Sequence, residues 1–357
     1  MSARFVRGLA EVGAADRAWA GGKAAALGEL ARAGIPVPRG CVVTAATFSL
    51  VMNAVDPSGA IRGALGDLSP DDLPALARAA ADLRARITAA PLPPEVAAEV
   101  TLAYHQLDRP AVAIRSSATM EDSAEASFAG LQDTYLAVRG ADDVLDRVRA
   151  CWASLYNDES VTYRRRQGIG EGGLAMGVVV QRMVSPRAAG VMFTRSPVTG
   201  DRSVVAIEGT WGLGSALVAG EVTPDSFTVS KVTGEITGRR ISAKLRAHSF
   251  MPNGDGITAQ PMPLALRRSP CLTDDEARAL SLVGRRVEEH YGTPQDIEWA
   301  LLGDTPGCPA LHAETADRVM LLQSRPETVW AARERAPIAR PLPRASDHVL
   351  ARFRKAL

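Results

Sequence analysis

"AIRSSATMEDSAEASFAGLQDTYL", residues 113–136, is the stretch on which the reading of this chain turns. An apolar run leads into one cation, Arg115, with Ser116, Ser117 and Thr119 behind it. A packed core has no use for so many hydroxyls beside a guanidinium. Arginine presents a planar, permanently charged fork suited to phosphate, and hydroxyls and loop N–H groups can share the remaining oxygens. An ion pair to Glu121 or Asp122 in an ordinary turn explains the cation equally well. Gly130 and Thr134 come one strand-turn later, one small and the other hydroxylated. They either line the same cradle or simply form a hairpin.

Two other segments carry complementary chemistry. "GGK" (21–23) opens a run in which Ala24, Leu27, Leu30 and Ala31 recur at helical spacing, with Gly34 as the stop. The glycines let backbone N–H groups approach an anion, the helix N-terminus adds partial positive charge, and Lys23 adds a full one. It is not a Walker A loop, and a plain turn before an alanine-rich helix reads the same way. Near the other end, "DIEWALL" (296–302) and "VMLLQSRP" (319–326) read as strands. Alternation puts Gln323 and Arg325 on one face, with Leu322 and Ser324 on the other. If the two strands pair, the Glu298 carboxylate and the Gln323 amide meet, with Arg325 beside them. Mg²⁺ is commonly held by few protein oxygens, with phosphate and water as its other ligands. A strand-edge ion pair between Glu298 and Arg325 is the bland account of the same residues.

Composition excludes several classes. With 41 basic and 40 acidic residues, the net charge of +1 gives no broad basic face for nucleic acid or for an anionic membrane. The 357 residues suggest two domains or lobes, and 46% hydrophobic content is enough to give each a core. Cys41, Cys151, Cys271 and Cys308 are scattered without ligand spacing and read as free thiols in a reducing compartment. The N-terminus lacks a signal-peptide core, and the most apolar stretch, 41–55, is too short and polar to span a bilayer, so a cytoplasmic location is expected.

Along the chain, two alanine-rich helices flank the "PLPP" break at 91–94, and residues 142–159 form one amphipathic helix with Asp142 or Asp143 as N-cap. "LAMGVVVQRMV" (174–184), "AAGVMFTRSPVTG" (188–200) and "RSVVAIEGTWGLG" (202–214) read as strands with turns. Residues 224–241 form a hairpin, and 274–292 an amphipathic helix. The pattern is that of an α+β protein of two lobes. From Ala331 the tail carries seven basic residues against two acidic ones, and reads as a linker or a docking arm. The five histidines, His105, His248, His290, His312 and His348, read as surface or packing residues. None follows a Thr-x-Gly-Gly run that would present it as a nucleophile.

Taken in order, "GGKAAALGEL", "GIPVPRG", the opening stretch, "VVVQRMV", "GVMFTRSPVTG", "WGLGSALVAGEVTPD", "DIEWA" and "LLQSRP" resemble the N-terminal ATP-binding domain shared by phosphoenolpyruvate synthase, pyruvate phosphate dikinase and rifampicin phosphotransferase. The resemblance covers nearly all of residues 8–327. It implies an ATP-grasp fold whose two lobes, 1–185 and 186–330, close over the nucleotide, with 331–357 as a tail. Lys23 and Arg115 would hold phosphates, and Gly130 and Thr134 would wall the same loop. Gln181 with the backbone near Met183 and Val184 would hold adenine. Glu298 and Gln323 would bind Mg²⁺, and Arg325 would stabilise the transferring phosphoryl group. In that family ATP yields AMP and phosphate, and the β-phosphoryl group goes to a histidine on a swivelling domain, which carries it to an acceptor bound elsewhere. No histidine here fits that domain's signature, so the resemblance implies a partner subunit or further domain carrying it; such an ATP-grasp half looks like the smaller subunit of phenylphosphate synthase, whose phosphohistidine and acceptor domains are on a separate subunit. Where many relatives read Trp-Gly-Leu-Gly-Glu, this chain has Ser215. A non-catalytic ATP-binding scaffold and an ADP-forming ATP-grasp ligase are the alternatives.

Overall fold

The computed structural model describes residues 5–119, 133–251, 254, 256–303, 318–328 and 330. The valine run of β5 (Met176–Arg182) shows how the fold starts. Val178, Val179 and Val180 are all fully buried, so this strand has no solvent face and must lie inside a sheet covered on both sides. It does. β5 sits at the centre of an antiparallel five-stranded sheet ordered β1 (Val6–Gly8), β2 (Gly40–Val43), β5, β3 (Val112–Ala118), β4 (Thr134–Val138). Val178 and Val180 enter a core with Phe48, Leu83, Val100 and Trp152 from the helices on one face. On the other face Val179 packs with Ala24 and Leu27 of the helix Gly22–Arg32.

A second antiparallel sheet has six strands: β6 (Pro186–Phe193), β7 (Val204–Trp211), β8 (Asp225–Ser230), β9 (Ile236–Arg240), β12 (Gln295–Leu302) and β13 (Val319–Pro326), ordered β13-β12-β6-β7-β8-β9. A separate hairpin pairs β10 (Arg246–Phe250) with β11 (Ile257–Pro261). One face of the six-stranded sheet buries Met192, Ile207, Phe227, Ile297 and Trp299 with Leu280, Val283 and Val287 of the helix Asp274–Tyr291. That helix begins with a capping box, Thr273 and Glu276, as an amphipathic run of this kind favours. Mixed helix and antiparallel sheet make the protein α+β, and among the described residues no helix is long and apolar enough to cross a membrane.

The helix Gly22–Arg32 touches both sheets. Its Leu30, with Ile35 just beyond, belongs to the core of the six-stranded sheet. Leu321 N–H donates to Pro36 O at 2.8 Å, and the Tyr291 hydroxyl donates to Ala26 O at 3.1 Å. At its start, Ser117 Oγ accepts from Ala24 N–H at 3.0 Å.

Two local expectations are corrected. Ser116 and Ser117 are not loop residues behind Arg115: β3 runs on to Ala118, and both side chains are buried. The helix expected over 142–159 is two helices, Ala141–Ser154 and Asp158–Arg166, and its N-cap is Gly140 at φ +88°, with Asp142 and Asp143 in the first turn. The break has a cause. Asn157 adopts extended backbone as cap of the second helix, and the buried Arg164 donates to Leu155 O at 2.7 Å while pairing with Glu171. Cys41, Cys151 and Cys271 are free and buried, and burial pushes the Cys41 thiol up to about 12. Cys308, His312, His348 and the tail lie outside the described residues.

Gly21 makes the contact of helix and sheet possible. Its φ is +82°, and a Cβ there would stand 1.8 Å from Ser117 O. Gly21→Ala is expected to cost at least about 2 kcal/mol, combining left-handed strain with displacement of the helix start. Chemical denaturation of the two proteins measures it, and the loss should exceed that for Gly34→Ala, which has the same backbone sign but open space around its Cβ.

Candidate functional site

The free face of the six-stranded sheet carries the residues expected from its two last strands. In an antiparallel ladder, residues directly opposite share a face. Glu298 stands opposite Gln323, and Asp296 opposite Arg325. The carboxylate and the amide therefore meet as expected. Arg325 does not pair with Glu298: its Nε and Nη2 donate to Asp296 Oδ2 at 2.8 and 2.7 Å.

A β-bulge corrects one expectation. Between Glu298↔Gln323 and Trp299↔Leu321 the register slips by one, leaving Leu322 as the extra residue on β13. Leu321 and Ser324 are buried, whereas Leu322 joins Gln323 on the site face, so strict alternation fails at this point. The bulge has a use. Arg115, reaching across from β3, donates from Nη1 to Leu322 O at 2.9 Å and lies 3.6 Å from Glu298 Oε2. Its side chain is only 11% exposed, and among the described residues its Nε–H has no hydrogen-bond partner. A buried guanidinium N–H left unpaired is costly, and it marks where an anion would be welcome.

Arg115 thus joins the two sheets, and the space beneath it is a cavity of 320 Å³, within the range of small-molecule sites. Arg115, Thr134, Gln181, Met183, Val184, Glu298 and Gln323 line it together. Thr134 is the cross-strand neighbour of Arg115. Gln181 is buried and its Nε2 donates to Pro38 O at 3.3 Å. The Met183 N–H is used by Ala111 O at 2.9 Å, while the Val184 N–H has no partner among the described residues.

Lys23 and Arg325 lie outside the lining. Lys23 sits in the first turn of the helix held by Ser117, which shares a strand face with Arg115 one pleat, about 7 Å, away. Arg325 lies the same step beyond Gln323 on β13. Gly130 falls outside the described residues. A larger recess, 570 Å³, beside β1 and β2 holds none of the expected residues.

The apolar wall, Leu136, Leu213, Val218 and Ala300, escaped the sequence reading, because aliphatic side chains carry no signal of a site. His248, expected as a surface or packing residue, packs at the rim of the cavity. Leu213 N–H donates to His248 O at 2.9 Å, and this brings the imidazole to Ser215, 2.8 Å from Oγ.

Among the described residues no group of three or more His, Cys, Asp or Glu side chains could hold a metal ion by protein alone. One carboxylate and one amide oxygen in register fit a hard cation that arrives with its own phosphate ligands.

Burial pushes the Asp296 carboxyl above the usual carboxylate range. The Arg325 guanidinium opposes that shift, and Glu298 adds to it. A raised folded-state value means that the folded form binds more protons than the unfolded form, so this group's contribution to stability falls as pH rises above about 4. The stability of wild type relative to Asp296→Asn is therefore expected to decline as pH increases from 4 towards neutrality, in paired urea titrations.

The model of the pyruvate phosphate dikinase AMP/ATP-binding domain matches residues 17–345. The chain is 49% identical over 307 residues to a rifampicin phosphotransferase of a Streptomyces species, covering 85% of this chain and 35% of that protein. It is 42% identical to a probable phosphoenolpyruvate synthase of Methanothermobacter thermautotrophicus, covering 91% and 46%, respectively. It is 37% identical to the phosphoenolpyruvate synthase of Aeropyrum pernix, covering 96% and 44%. The chain spans less than half the length of these relatives.

Proposed function

Because the chain belongs to the pyruvate phosphate dikinase AMP/ATP-binding domain family, we propose that it is the ATP-binding half of a dikinase-type phosphotransferase. In this reading ATP lies in the 320 Å³ cavity of an ATP-grasp fold, between lobes 1–185 and 186–330. A histidine on a swivelling domain, on a partner subunit or elsewhere in a longer polypeptide, takes the β-phosphoryl group. Histidine, ATP and water then give phosphohistidine, AMP and phosphate. The final acceptor, such as pyruvate or a phenol or antibiotic hydroxyl, binds outside this chain.

The observation that carries the reading is the convergence of Arg115, Glu298 and Gln323 from two sheets on one cavity with an apolar wall. Adenine would rest on that wall near Met183 and Val184, with the Val184 N–H and Gln181 as polar contacts. Arg115 and Lys23 would hold phosphates, and Thr134 would border them. Glu298 and Gln323 would hold Mg²⁺, which supplies charge neutralisation across the phosphate oxygens when bound. Arg325, oriented by Asp296, would face the developing charge on the transferring phosphoryl group. The positions of these cations support phosphoryl transfer over a purely structural role, since a scaffold has no need of a guanidinium held in place beside a carboxylate–amide pair.

Calorimetry with Mg·ATP should show binding by the wild-type chain, weakened at least about tenfold in Arg115→Ala and in Glu298→Gln, the size expected when a charge-assisted contact is lost. With ATP labelled at the β-phosphoryl group and a domain bearing the swivelling histidine, the label should move to that domain and AMP should accumulate. Formation of ADP without phosphohistidine would instead identify a ligase-type reaction. Retained biological activity in Lys23→Ala and Arg325→Ala would point to a scaffold.

A further inference from the structure

Ser215, His248 and Glu221 form a hydrogen-bonded series at the edge of the cavity. Ser215 Oγ lies 2.8 Å from His248 Nδ1, and His248 Nε2 lies 3.1 Å from Glu221 Oε2. Ser215 lines the cavity, and the imidazole is largely covered, 12% exposed. The turn that carries Ser215 is attached to the strand of His248. Gly212 adopts φ +71°, with space for a Cβ taken by His248 O at 2.4 Å, and Leu213 N–H holds that same carbonyl.

The strand register places this series along the cavity. Leu302 pairs with Pro186, two residues from Val184; next come Ala300 with Ala189, then Glu298 with Val191, then Asp296 with Phe193. Successive rows on one face are about 7 Å apart. Gly214 lies over Ala189: a Cβ on it would stand 3.5 Å from the Ala189 side chain. Ser215 therefore sits at the middle row, between the apolar end at Val184 and the Glu298–Gln323 pair. A nucleotide with its base at the first and its phosphates at the second presents its sugar to the middle row.

The proton arrangement follows from donor and acceptor rules. A carboxylate only accepts, so His248 Nε2 carries a proton, and in a singly protonated ring Nδ1 is then a lone pair. The Ser215 hydroxyl must then donate to Nδ1, and only its lone pairs are left for the cavity. We propose that His248 and Glu221 act as positioning residues that make Ser215 an acceptor for a sugar hydroxyl of the bound nucleotide, so that the site distinguishes ribonucleotides from deoxynucleotides. This rests on the ATP reading of the cavity.

The test compares Kd values for Mg complexes of ATP, 2′-deoxyATP and 3′-deoxyATP by calorimetry. Wild type should bind ATP roughly 3- to 10-fold more tightly than at least one deoxy analogue, the gain from one hydroxyl hydrogen bond. In Ser215→Ala the gap should close to within about twofold, since the acceptor is gone. Glu221→Lys is the informative partner variant. An ammonium only donates, so it forces the opposite tautomer and turns the Ser215 proton into the cavity. Because a sugar hydroxyl accepts as well as donates, the gap should change in size rather than vanish, whereas a general effect of added charge would shift all three affinities together. ATP bound by wild type with no discrimination, or with discrimination unchanged in both variants, overturns the inference and leaves the ATP reading intact. Failure of wild type to bind any of the three overturns the ATP reading itself.

Discussion

Arg115 is the point where the two sheets are held against each other across the cavity. It leaves β3 of the five-stranded sheet, donates to the bulged Leu322 of β13, and lies beside Glu298 of β12. A guanidinium this well covered is tolerated only because both partners are charge-complementary or carbonyl oxygens. Its Nε–H remains unpaired, so the contact is incomplete within the described residues. The same arrangement that joins the sheets thus leaves a donor for an anion, and structural and binding roles are combined in one side chain.

The second connection is the helix Gly22–Arg32. It is anchored at its start by Ser117, along its length by the core around Val179, and at its end by the core of the six-stranded sheet. Lys23 at its first turn is therefore positioned by the same contacts that bring β13 close to β3. Because Lys23 is tied through Ser117 to the strand of Arg115, a change in the separation of the sheets moves these two cations together relative to the Glu298–Gln323 pair. In the proposed reaction this coupling would let closure on a nucleotide assemble the cations around the phosphates and exclude water.

Much of the site could be read from the chain because its chemistry is concentrated in short segments. Arg115, Glu298 and Gln323 stood out as polar groups inside apolar strand patterns, where burial alone gives them no reason to be. Gln181 and the Met183–Val184 backbone came only through the resemblance, since a glutamine in a valine run has many bland explanations. Leu136, Leu213, Val218 and Ala300 gave no sign at all, because an apolar wall of a cavity and an apolar wall of a core have the same composition.

By itself the sequence determined the elements whose periodicity is local. The apolar run at 174–184 marked a strand, and the spacing of apolar residues over 274–292 marked an amphipathic helix. These patterns need only the 2.0 and 3.6 repeats of the backbone. Tertiary structure decided what depends on register between distant segments. The bulge turns Leu322 to the site face against strict alternation, Asp296 takes Arg325 from Glu298, and Ser215 meets a histidine 33 positions away. A one-residue slip reverses which side a residue faces, and that slip is set by packing across strands, which no local repeat encodes.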